Sequence, residues 1–74
     1  MTEGLTRRQQ WDALVVLAHA NKLQAGFSGG YHEPYFIGAK RYPDITSATC
    51  ALLHAFDKVG IRIPDSIKQR PIDL

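Results

Sequence analysis

Ser47, Cys50, His54 and Asp57 recur at i, i+3, i+7 and i+10, the spacing that lines up side chains along one stripe of an α-helix. Their types match a nucleophile, a base and an orienting carboxylate. A Cys/His pair becomes a working nucleophile only when its surroundings lower the thiol pKa and a third group holds the second imidazole nitrogen in a water-restricted pocket. A stripe opposite an apolar helix face has neither. These four residues therefore read as a solvated face, and no catalytic residue is expected.

Cys50 and His54, four residues apart, could also share a zinc ion, with His19, His32 or Glu33 completing a tetrahedral set. The remaining spacings match no standard zinc module, and the extra ligands fall on another helix and in a loop, so no metal is expected either. Gly29 and Gly30 could cradle an anion between backbone amides. No Lys-Ser or Lys-Thr pair follows them, and no strand clearly precedes them, so they read as turn glycines. No cofactor is implied.

The remaining chemistry is that of contact. Residues 26–44 hold four of the six glycines and all three tyrosines. Within them, Tyr31, His32, Tyr35, Lys40, Arg41 and Tyr42 form the candidate partner-binding set. Tyrosine and arginine are common interface anchors, because a rigid amphipathic ring covers much area at small entropic cost. Rings beside cations also suit single-stranded nucleic acid. The competing structural reading is that Tyr35 and Tyr42 roof a thin core while Lys40 and Arg41 are the solvated end of a hairpin.

These residues must be held by the flanking elements. Thr6 and Gln9 fit a capping box, so a helix is expected from Arg7, running over residues 7–24. Trp11, Leu14, Val15 and Ala18 make one apolar stripe of it, and Ala13, Val16, Ala20 and Leu23 make a second, with Leu17 widening the arc. So broad an arc predicts a central helix or one packed across an oligomer interface. A second helix is expected over residues 45–59, begun by Pro43 and Asp44 or capped by Thr46 and ended by Gly60 in a left-handed conformation. Its apolar face is Ile45, Ala48, Leu52, Ala55, Phe56 and Val59. Ile61 is placed to fold back on its last turn, and one further helical turn fits residues 65–69.

Between the helices, Gly38-Ala39 suits a type II′ hairpin turn joining residues 35–37 to 40–42. Tyr35 then faces Tyr42, Ile37 lies near Lys40 on the same side, and Phe36 and Arg41 share the other. Phe36, lacking a polar tip, is expected on the inner face, with the tyrosines outward. Residues 26–34 are expected to be an irregular turn.

The chain has 74 residues, so it has room for one domain, and a core this small is marginal. The fold class expected is α+β and mainly helical: helix, small hairpin or ordered loop, helix, short C-terminal turn, with residues 1–5 and 71–74 flexible. Hydrophobic residues make up 45% and charged residues 22%, which excludes wholesale disorder, and no apolar run is long enough to span a membrane. Residues 1–10 lack the apolar core of a secretory signal, so a cytoplasmic location is the default. The single cysteine allows no internal disulfide.

With neither disulfide nor metal, a homodimer or a complex with another protein is the expected source of added stability. A net charge of +2, from nine Lys and Arg spread along the chain, is weaker than a dedicated DNA-binding domain usually carries. The function expected is a small non-enzymatic regulator or inhibitor that binds a protein through the aromatic and basic middle segment, the kind of accessory protein that bacteria, plasmids and phages encode. The alternatives are a nucleic-acid-binding module and, third, a nucleotide or other small-ligand binder built around Gly29 and Gly30.

Overall fold

The computed structural model describes residues 5–68. The order is α1 (Arg7–Ala20), β1 (Ala25–Phe27), β2 (Tyr35–Ile37), β3 (Lys40–Tyr42), α2 (Ile45–Val59) and α3 (Asp65–Lys68). The three strands form an antiparallel meander in the order β1-β2-β3. The fold is α+β and mainly helical. Residues 1–4 and 71–74, most of the stretches expected to be flexible, lie outside the described residues, as does Gln69; Leu5 is half-buried.

The capping box forms as the sequence implies: Thr6 Oγ1 accepts from the Gln9 amide at 3.1 Å, and Gln9 Oε1 accepts from the Thr6 amide at 3.0 Å. The helix then ends four residues earlier than expected. Lys22 adopts φ 62°, the Leu23 amide reaches back to the Ala18 carbonyl at 2.8 Å, and the Lys22 amide reaches the His19 carbonyl at 3.0 Å. This is a Schellman closure with lysine at the position glycine usually fills. No glycine marked the end, so pattern alone carried the helix too far.

The early stop frees residues 25–27 to pair with β2, and a strand stands where an irregular turn was expected. Gly26 sits across from Phe36, and a Cβ built on it would lie 3.4 Å from that ring. The Ala25 carbonyl oxygen, on the edge of β1 turned away from β2, is 2.9 Å from His19 Nε2 of α1.

The hairpin register matches the expectation, pairing Tyr35 with Tyr42, Phe36 with Arg41 and Ile37 with Lys40. Gly38 carries φ 60° and Ala39 no positive φ, as a type II′ turn requires. The inner face is the reverse of the one expected. Tyr35, Ile37 and Tyr42 pack against the core, whereas Phe36 turns away from it. A tyrosine ring can lie along a core while its hydroxyl stays at the rim. Here Trp11 of α1 meets Tyr35 edge-on, with centroids 5.4 Å apart, so the inner position already has an aromatic partner.

The core joins Trp11, Leu14 and Ala18 of α1, Ala25 of β1, and Ala48, Leu52 and Phe56 of α2. Of the first apolar stripe of α1, Trp11, Leu14 and Ala18 are buried and Val15 is half-buried, while Leu17 and Leu23 pack against the edge of the core. Val16 of the second is 69% exposed and Ala20 is exposed, so α1 flanks the fold instead of crossing its centre. On α2, Asp44 is the N-cap, accepting from the Ser47 amide at 2.8 Å. Gly60 at φ 90° and a 2.9 Å bond from the Ile61 amide to the Phe56 carbonyl close the other end. Val59, counted in the apolar face, is 63% exposed, because the core ends at Phe56. The turn of α3 docks on α1 through buried Gln10, whose Nε2 donates to the Ile67 carbonyl at 2.8 Å.

Candidate interaction surface

The six residues singled out from sequence divide into two groups. Tyr35 and Tyr42 are half-buried on the helix side of the sheet, so they are structural and drop out of the binding set. Tyr35 lies between Trp11 and Phe27, with ring centroids at 5.4 and 5.3 Å in edge-to-face arrangements. Such pairs add to burial, since the positive ring edge meets the negative face. The other four residues, Tyr31, His32, Lys40 and Arg41, are exposed.

Tyr31 stands in the β1–β2 loop with 92% of its surface open, and its ring meets that of His32 edge-on at 4.6 Å. The loop that presents them is tied at its base. The Ser28 amide donates to the Pro34 carbonyl at 2.6 Å, the Ser28 hydroxyl donates to the same oxygen at 3.1 Å, and Arg41 Nη2 donates to Ser28 Oγ at 2.8 Å. Gly29 takes φ 77°, and a Cβ on Gly30 would stand 3.3 Å from the Glu33 carbonyl oxygen. The glycines serve the turn. A strand does precede them, contrary to the sequence reading, but a second strand follows where a phosphate-binding loop would place a helix N-terminus.

Two contact residues escaped the sequence reading. Phe27 is 54% exposed, and the Arg8 guanidinium lies over its ring at 5.8 Å while also pairing with Asp12 at 3.4 Å. Phe36, half-buried, lies on the sheet face turned away from the helices. The register puts Phe27 on the face of Tyr35 and Phe36 on the other, and alternation alone does not say which of the two meets the helices.

The chemically suggestive residues are not brought together. Ser47, Cys50, His54 and Asp57 are exposed along α2, and Ser47 is engaged by its own N-cap Asp44. His19 meets the Ala25 carbonyl, and His32 meets Tyr31. Among the described residues, no three His, Cys, Asp or Glu side chains are grouped as metal ligands. A groove of about 420 Å³ lies between α2 and the segment leading into α3, lined by Leu53, Ile61 and Ile63 with Asp57, Arg62 and Lys68 around them. Among the described residues, no helix is long and apolar enough to cross a membrane.

Comparison with known proteins returns no match to a family, to a curated protein or to a solved structure.

Proposed function

We propose that this chain is a non-enzymatic binding protein that engages another protein through its β1–β2 loop, with Tyr31 and His32 as anchors and Phe27 and Arg41 at the base. The observation that carries the reading is the exposure of Tyr31, 92%. A ring this open adds almost nothing to its own fold, and large rings gain most when an interface desolvates them. The tie from Arg41 through Ser28 to Pro34 supports it, because a loop already ordered loses less entropy on docking.

The test is affinity capture from the source cells with tagged wild-type chain and the Tyr31→Ala variant, before and after nuclease. A protein held by wild type after nuclease and lost with Tyr31→Ala is the expected result. Equal capture by both refutes the reading. The Arg8–Phe27 stack favours single-stranded nucleic acid as the second reading, since rings beside cations bind bases and phosphates together. That reading requires bound material that disappears with nuclease and an affinity that falls steeply with salt. A nucleotide site loses the Tyr35 and Tyr42 rings it relied on, as both face the core. If two copies pair, exposed Val16 and Ala20 on α1, beside half-buried Ala13, are where they would meet, and light scattering measures that mass.

A further inference from the structure

The sheet face turned away from the helices carries one row of side-chain positions, Gly26, Phe36 and Arg41, by the register of the three strands. Arg41 is its only cation. Lys40, one residue earlier, shares the opposite face with Ile37. The Arg41 guanidinium is held in place: Nη2 donates to Ser28 Oγ, and the Ser28 hydroxyl proton is already committed to the Pro34 carbonyl. The group comes to rest against the loop, with Nη2 3.6 Å from where a Cβ on Gly30 would stand, next to exposed Tyr31. That single bond is the polar contact of Arg41 among the described residues, and it leaves most of the five N–H donors of a guanidinium open.

Resting on the protein-binding reading above, we propose that Arg41 is the seat for a carboxylate of an acidic segment in the partner protein. A planar guanidinium fork matches a carboxylate with two parallel hydrogen bonds, a geometry that lysine cannot reproduce. One cation on the face fits one carboxylate, whereas a nucleic-acid backbone gains its affinity from several phosphates neutralised in series. Half-buried Phe36, across from Arg41 in the strand register, and exposed Tyr31, which follows Gly30 in the loop, offer apolar contact to the neighbours of that acidic residue.

The test uses the full isotope-labelled chain and short acetylated peptides with a central Leu-Glu-Leu, the same peptide with Gln for Glu, and the same with phosphoserine. The Glu peptide is expected to shift the Arg41 Nε–H signal and the Gly30 and Tyr31 amides with a dissociation constant on the order of 1 mM. The Gln peptide should bind at least ~10-fold more weakly, as a charge-assisted bidentate pair is lost. Arg41→Gln should abolish the response, and Arg41→Lys should restore only part of it because the fork is missing. No shift at Arg41, an equal response to the Gln peptide, or tighter binding of phosphoserine than of Glu each overturns the carboxylate assignment. That failure is separable from failure of the protein-binding reading, which falls only if Tyr31→Ala leaves capture of the native partner unchanged.

Discussion

Replacing Tyr35 and Tyr31 by alanine, one at a time, separates the tyrosine that builds the fold from the tyrosine that is free to bind. Tyr35 makes edge-to-face contacts with Trp11 at 5.4 Å and Phe27 at 5.3 Å, each worth about 0.5–1.5 kcal/mol beyond burial. The ring is half-buried, so removing it forfeits roughly half of the ~1.5–3 kcal/mol that full burial of a large apolar side chain supplies. Together these give a loss of about 2–4 kcal/mol for Tyr35→Ala. A chain of 74 residues has a total stability of only about 4–11 kcal/mol on the usual per-residue scale. The midpoint of thermal unfolding should therefore fall by on the order of 10–30 °C. Tyr31→Ala, at a position 92% exposed, should change stability by less than ~0.5 kcal/mol.

Urea unfolding followed by circular dichroism measures both. Fluorescence of the single tryptophan, Trp11, which is 1% exposed, gives a second probe. Tyr35→Phe should stay close to wild type, because the ring contacts remain. A Tyr31→Ala variant as destabilised as Tyr35→Ala would refute the division, and so would a Tyr35→Ala loss below ~1 kcal/mol.

Lys22→Gly should stabilise the chain by about 0.5–1 kcal/mol in urea unfolding, because the left-handed conformation costs a side-chain-bearing residue roughly 1–2 kcal/mol, partly offset by the greater unfolded-state entropy of glycine. Thr49 is 6% exposed, and its hydroxyl has no hydrogen-bond partner among the described residues; Thr49→Val, of nearly the same shape, should gain about 1 kcal/mol by the same assay. Gln10→Ala removes the bond to the Ile67 carbonyl and should cost about 1–3 kcal/mol. In that variant, hydrogen exchange should accelerate most at the Ile67 and Lys68 amides, which donate to the Pro64 carbonyl just before α3.

How much could be read in advance depended on whether a local signal existed. Thr6 with Gln9 and Gly60 each satisfy or release particular backbone groups at a helix end, and Asp44 was one of two candidate starts for α2 beside Thr46, so three of the four main helix ends could be placed to within about two residues. The fourth could not, because Lys22 terminates α1 without the glycine that normally announces a left-handed residue. β1 was missed as well, because Gly26 and Phe27 were read as part of an irregular turn over residues 26–34, although Gly26 pairs with Phe36. Of the candidate site, Tyr31, His32, Lys40 and Arg41 are exposed, Phe27 was overlooked, and Tyr35 and Tyr42 take the competing structural reading, roofing the core.

By itself the sequence determined the start of α1, the span of α2, the hairpin turn at Gly38 and the pairing of Tyr35 with Tyr42, because capping, glycine conformation and two-residue turn geometry act over a few neighbouring residues. Tertiary structure alone decided which sheet face meets the core. Strand alternation offers two faces and ranks neither, and the choice came from Trp11, which supplies Tyr35 with an edge-on partner 24 positions away in the chain. With Tyr35, Ile37 and Tyr42 packed on the core, Arg41 and Phe36 face out, and Tyr31 stands open in the adjoining loop.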